Sequence, residues 1–411
     1  MNREELLPHL FRSEYGKIVA VLCWRFGFDR MGVAEDIASD TFLTAAQTWP
    51  LKGVPENPTA WLYAVAKNRA KNQIQRDALF ERTIAPELRT RFAEPGQEDL
   101  DLSPQNIYDS QLRMMFALCH PSIPPEGQIA LSLRFLCGFG IEEIADAFLA
   151  SKDTINKRLF RAKERLRKEQ VALDPPGDAE IDRRLDTVLT TIYLLFNEGY
   201  YSTSHNTSLR KDLCMEAMRL CSLLTENRKT DTPSVNAVLA LMCFHASRFD
   251  ARLDRNGEMV LYDDQDPGVW DAGLIGRGAY YLNRAATGNT VTRYHLEATI
   301  AYWHTQKADT TEKWENILQL YNQLLRLAYS PVAALNRTYA LAKARGTHEA
   351  IREAEKLKLT DNQFYFALLG KLYSDVDKAK AREHYQNALT LARTETDKRT
   401  LQRNIDALSG A

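Results

Sequence analysis

From Ser151 to Lys168 the chain reads SKDTINKRLFRAKERLRK, and the side chains there that could do chemistry are almost all cations: Lys152, Lys157, Arg158, Arg161, Lys163, Arg165, Arg167 and Lys168. Ammonium and guanidinium groups at this density attract phosphate, and the guanidinium fork also matches a base edge. A second run, WLYAVAKNRAKNQIQR from Trp61 to Arg76, carries Lys67, Asn68, Arg69, Lys71, Asn72 and Arg76 without a single acid. Its cations suit phosphate of any sequence, whereas an asparagine can pair bidentately with a base. A third set is acidic: Glu35, Asp36 and Asp40 in GVAEDIASDTFLTAAQTWP. Carboxylates repel a phosphate backbone, so this set points to a protein surface.

Covalent chemistry has little support. No glycine-rich phosphate loop, HExxH or nucleophile elbow occurs, and the histidines stand without acid or thiol partners at motif spacing, so no enzyme is expected. His120 beside Cys119 is the nearest approach to a pair, and adjacent residues diverge on a helix. Cys23, Cys119, Cys137, Cys214, Cys221 and Cys243 fall singly, which argues for buried thiols and against a disulfide framework or zinc site. Asp254, Asp263, Asp264 and Asp266 lack the spacing of a calcium loop. No metal or cofactor is expected, and the segment reads as a loop that docks on the helical domain.

Helices must position these residues. Ile155, Leu159, Ala162 and Leu166 recur at steps of four and three, one apolar stripe that leaves the cations outward. Ser151 is suited to cap that helix. Upstream, Ile141, Ile144, Ala145 and Phe148 make a short amphipathic helix, so the pair has the layout of a helix-turn-helix. In that layout Lys152, Asp153, Thr154, Asn156 and Lys157 face base edges, and Arg158, Arg161 and Arg165 meet phosphates. Pro58 and Thr59 open a helix that turns Leu62, Val65, Ala66 and Ile74 inward, with Trp61 as anchor.

At 411 residues, 45% hydrophobic and 26% charged with formal net charge −1, the chain is expected to be globular with several domains. It offers no membrane span and no secretory signal, so a cytoplasmic location without membrane contact is expected. The fold class is all-α. Residues 1–78 form a first domain and 79–108 an acidic linker. Residues 109–172 form a second domain, the proline break LDPPGD follows, and 179–411 form a third of weakly repeated helix pairs. Those pairs suit a tetratricopeptide-like stack, with an irregular helical bundle as the alternative.

The residues also resemble a known family. AEDIASDTFLTAAQTW followed by NPTAWLYAVAKNRAKNQIQR is similar to region two of sigma-70 family RNA polymerase sigma factors. IPPEGQIALSLRFLCGFGIEEIADAFLASKDTINKRLFRAKERLRKE is similar to region four. Both in this order resemble the extracytoplasmic-function group. The segments IYLLFNEGYYS, DLCMEAMRL, LALMCFHASR, DDQDPGVWD and SPVAALNRTYALA resemble a subgroup with a long tetratricopeptide-like extension. Ser39 and Asn72 depart from the common glutamine and aspartate, which bears on promoter preference.

The resemblance implies a partner in core RNA polymerase, through the clamp helices of its largest subunit and through its second-largest subunit. Glu35, Asp36 and Asp40 would then dock on polymerase. Trp61, Lys67, Asn68, Lys71, Asn72 and Arg76 would melt and hold the −10 promoter element. Lys152, Asp153, Thr154, Asn156, Lys157, Arg158 and Arg161 would read the −35 element. The acidic linker, with Glu94, Glu98, Asp99 and Asp101, would run through the RNA-exit path. The extension would contact the chain's own sigma regions or a regulatory protein such as an anti-sigma factor. A stand-alone helix-turn-helix regulator with a helical sensor domain is the competing reading, and a helical scaffold with solvated basic faces is a third.

Overall fold

A computed structural model of the chain describes residues 3–83, 100–148, 150–171, 173, 177–200, 210–252, 260, 262–392 and 395–408. Every regular element among them is helical, as the periodicity requires. The chain divides into two compact units, Met1–Leu195 and Phe196–Ala411.

The first unit holds α1 (Arg3–Phe26), α2 (Met31–Lys52), α3 (Pro58–Thr83), α4 (Pro104–Leu118), α5 (Pro125–Phe135), α6 (Ile141–Ala147), α7 (Lys152–Lys168) and the first part of α8 (Asp178–Tyr200). Its centre is α1. Ile18 to Cys23 are fully buried without interruption, the pattern of a helix covered on all sides. α2 and α3 pack on it from the N-terminal part of the chain, and α4 and α5 from beyond the linker.

Two glycines permit the close approach. A Cβ on Gly16 would lie 2.2 Å from the carbonyl oxygen of Leu136. Gly138, in the left-handed region at φ +69°, brings its backbone against the Tyr15 ring.

The two domains expected at 1–78 and 109–172 are therefore joined within one unit. The boundary expected at the proline break also differs: α8 resumes after it and Thr191 Oγ1 donates to the buried Gln128 Oε1 at 2.8 Å. Prolines end a helix but leave the next one free to pack back. Most of the acidic linker, with Glu94, Glu98 and Asp99, lies outside the described residues.

The second unit continues with α9 (Lys211–Glu226), α10 (Pro233–Ala246), α11 (Ala272–Ala285), α12 (Arg293–His304), α13 (Thr311–Leu327), α14 (Pro331–Arg345), α15 (Thr347–Leu357), α16 (Gln363–Tyr373), α17 (Lys378–Leu391) and α18 (Glu395–Ala407). Sequential helices pair closely, α10 with α11, α13 with α14 and α16 with α17. Leu296, Trp314, Ile317, Leu318, Leu341 and Leu369 share one core cluster. The acidic loop does dock on these helices. Tyr339 donates its hydroxyl proton to Asp263 Oδ2 at 2.7 Å and Lys343 lies 3.4 Å from the same carboxylate, while Asp254 lies outside the described residues.

Candidate nucleic-acid interface

α7 begins where Ser151 Oγ accepts the backbone N–H of Thr154 at 3.1 Å, satisfying a donor that the first turn leaves open. Ile155, Leu159, Ala162 and Leu166 are the buried residues of this helix. That stripe fixes its rotation, so Lys152, Asp153, Thr154, Asn156, Lys157 and Arg161 stand exposed on one side. Lys152 pairs with the exposed Glu142 of α6, whose carboxyl is held below its usual range by the lysine's hydrogen bond. Arg158 is half-buried, its guanidinium 5.1 Å above the Phe148 ring.

One residue of this face went unnoticed in the sequence. Phe160 is 65% exposed among the cations. It lines, with Lys157, Arg161 and Arg165, a groove of about 550 Å³ between α7 and the start of α5. An aromatic off the i, i+3, i+4 stripe was the available signal.

On α3, Asn57 Oδ1 accepts the N–H of Ala60 at 3.0 Å and so caps the helix. Leu62, Ala66 and Ala70 are buried, while Asn68, Lys71, Asn72 and Arg76 are exposed and Lys67 is half-buried. Val65 and Ile74 are half-buried. Trp61 is half-buried with its ring edge-on to Trp49 at 5.5 Å. Arg69 turns to α2, donating to Asp40 at 2.8 Å and to Thr44 at 2.8 Å. The basic run and the acidic run thus meet along one edge, and Asp40 keeps half of its surface open.

The acidic set itself is split. Asp36 and Asp40 are exposed, but Glu35 turns away from them, its side chain 13% exposed, and takes two cations from beyond the linker. Arg134 Nε donates to it at 2.7 Å and Lys163 Nζ at 2.9 Å. Expected as part of a docking face, Glu35 is instead committed inside the first unit. A helix face of about 100° separates positions one apart, so Glu35 cannot share the outward direction of Asp36. Lys163, expected outward, follows it inward. Arg12 with Glu143 at 2.5 Å and Arg167 with Asp29 at 3.3 Å tie the same two parts together.

All six cysteines are free and buried. Burial raises the Cys119 thiol to about 11, and His120 bonds Ser122 at 2.8 Å. Among the described residues no cluster of metal-ligating side chains occurs, and no described helix is long and apolar enough to cross a membrane.

A capped helix with an apolar inner stripe and an outward basic face, preceded by a short helix, defines a helix-turn-helix protein built for nucleic acid. Comparison with known proteins narrows the class. Residues 10–79 match the family model of sigma-70 region 2, and residues 113–166 that of sigma-70 region 4. Residues 184–286 match a family of unknown function, DUF6596.

An uncharacterized protein of Rhizobium meliloti (strain 1021) is 32% identical over 389 residues, covering 93% of this chain and 91% of the relative. The ECF RNA polymerase sigma-E factor of Haemophilus influenzae is 28% identical over 160 residues, 38% of this chain and 83% of the relative. No solved structure matches significantly. The chain belongs to the sigma-70 family, as an extracytoplasmic-function sigma factor with a C-terminal extension, and its role is transcription initiation.

Proposed function

We propose that α7 reads the −35 element in the major groove and that α3, with the segment before it, opens the −10 element. Asp36 and Asp40 form the outward acidic face for polymerase. The observation that carries this reading is the rotation of α7: its buried stripe leaves Lys152, Asp153, Thr154, Asn156, Lys157 and Arg161 together in the open. A partner in core polymerase is supported by the likeness to the ECF RNA polymerase sigma-E factor of Haemophilus influenzae.

This reading requires the first unit to open. From Asn72, through the Arg69–Asp40 and Glu35–Lys163 pairs, to Lys157 is a path of about 50 Å at most, using helix rise and side-chain reach. Elements about 25 base pairs apart lie roughly 85 Å apart on straight duplex. The closed unit therefore cannot hold both faces on such DNA at once, and polymerase binding to α2 separates them. The 1–78 and 109–172 segments act as the two modules, and the extension regulates them.

Transcription in vitro tests the reading: the purified chain is added to core polymerase on fragmented genomic DNA and the transcript starts are sequenced. Starts that share two upstream elements are expected. No core binding by either the full chain or a chain ending near Gln170 would hand the function to a stand-alone regulator, whereas core binding by the shorter chain without transcripts from the full one would point to inhibition by the extension.

A further inference from the structure

We propose that the second unit holds a binding site for a small phosphate-type oxyanion around Tyr262, independent of the sigma reading. Among the described residues, four buried polar atoms there have no hydrogen-bond partner: Arg248 Nε, Trp270 Nε1, His304 Nδ1 and Gln265 Oε1. All four belong to residues grouped on one tyrosine. The Arg248 guanidinium lies 5.3 Å from the Tyr262 ring centre, the Trp270 ring stacks at 6.5 Å, and the His304 ring stands edge-on at 4.9 Å. The Gln265 N–H donates to the Tyr262 carbonyl oxygen at 3.3 Å. Orphaned buried polar atoms are rare, and each costs about 1–3 kcal/mol. Four on the residues around one tyrosine are groups that a bound guest would satisfy.

Charge specifies that guest. Arg248 is 8% exposed, and its only polar side-chain contact among the described residues is the Tyr200 hydroxyl at 3.5 Å. Lys313 is 3% exposed and donates to the Tyr262 hydroxyl at 3.0 Å and the Gln306 carbonyl at 2.9 Å. Neither cation has a carboxylate within ion-pair distance among the described residues, whereas Asp263 and Asp309 are taken by the more exposed Lys343.

Burying charge without a counter-charge is strongly unfavourable. Burial first, and the neighbouring Arg248 and Lys313 after it, push the pKa of His304 down to about 3. Arg248 and Trp270 offer N–H groups to anionic oxygens, while the Gln265 oxygen needs a proton from the guest. Monohydrogen phosphate brings both; sulfate brings only acceptors.

Thermal unfolding and titration calorimetry of the full chain at pH 7.5 test the site, with sodium phosphate against sodium chloride at matched ionic strength. Saturable binding and a rise of several degrees in Tm with millimolar phosphate are expected, with sulfate at least fivefold weaker. Arg248→Met should abolish the response. Trp270→Phe keeps the ring, loses only the N–H, and should weaken binding several-fold, which holds the test open should Arg248→Met fail to fold. Glycerol phosphate binding tighter than inorganic phosphate would assign the ester form, and the reverse order the free ion. No calorimetric binding, or the same Tm rise in chloride or in the Trp270→Phe and Arg248→Met chains, overturns the proposal.

Discussion

Glu35 in the first unit and Tyr262 in the second are both centres of buried charge, and they are balanced in opposite ways. Around Glu35 one carboxylate is shared by Arg134 and Lys163, all three supplied by the chain itself. Around Tyr262 two cations, Arg248 and Lys313, are more deeply buried and have no carboxylate of their own among the described residues. A cluster that is complete works as a clasp, and removing a member leaves the others uncompensated. A cluster that carries excess charge gains by losing a member or by taking up a guest. Opposite responses to deletion therefore separate the two.

The strongest way to break the first centre is steric. Gly16→Ala places a Cβ against backbone, the Leu136 carbonyl, which cannot swing aside as a side chain would. A loss of about 3 kcal/mol is expected, read by chemical unfolding. Proteolysis should then cut between α3 and α4 faster, because the two halves no longer close. Unchanged unfolding would mean that α1 and the turn at Leu136 do not approach in solution.

Next in size is Glu35→Ala, which strands Arg134 and Lys163 at 23% and 33% side-chain exposure. Fully buried pairs lose about 3–5 kcal/mol on such deletion, and partial exposure reduces this to about 2 kcal/mol. Lys163→Met in the same chain should recover part of it. Under the proposed function the Glu35→Ala chain should bind upstream-element duplex more tightly without polymerase. Arg248→Met sharpens the contrast: in phosphate-free buffer it should leave Tm unchanged or raise it, since it removes a buried cation that has no ion pair among the described residues. A loss as large as that of Glu35→Ala would show that the two centres are balanced alike.

Acid should also separate them. A histidine neutral in the folded state and protonated in the unfolded one makes the unfolded chain bind more protons, so stability falls as pH drops below about 6.5 and keeps falling toward the folded value of about 3. From pH 7 to 5.5 His304 accounts for a loss of about 1 kcal/mol in the second unit. His304→Leu should flatten that slope. A slope unchanged by the substitution would assign the acid sensitivity elsewhere; His245, buried and beside Arg248 and Arg252 with its pKa also driven down, is the next group to replace.

These centres also mark where the sequence was legible. The stripe Ile155, Leu159, Ala162 and Leu166 and the Ser151 cap are local, decided within one helix, and the structure has them as the spacing requires. Glu35 was misplaced because its direction depends on Arg134 and Lys163, 99 and 128 residues away. No periodicity inside α2 distinguishes a carboxylate facing water from one facing a distant cation. Arg248 was passed over for the same reason: in LALMCFHASR it reads as the polar end of a helix, and only the tertiary fold surrounds it with Tyr200 and Tyr262. Helix phase is written locally, whereas charge pairing is written across the chain.

The smallest expected effect lies at the exposed pair Lys152–Glu142, which makes the same kind of bond as the Glu35 clasp but in open solvent. Both side chains keep well over half of their surface, so water and salt screen the attraction, and holding two long side chains still offsets what remains. Glu142→Gln should therefore leave Tm unchanged. Its consequence should appear only in binding: with the local negative charge gone and Lys152 released, affinity for upstream-element duplex should rise by about threefold at most, and the gain should fade as salt is raised. A fall in Tm comparable to that of Glu35→Ala would show that burial does not govern the worth of these pairs. A fall in affinity would place Glu142 as a support that orients Lys152 toward the base edges rather than a competitor for it.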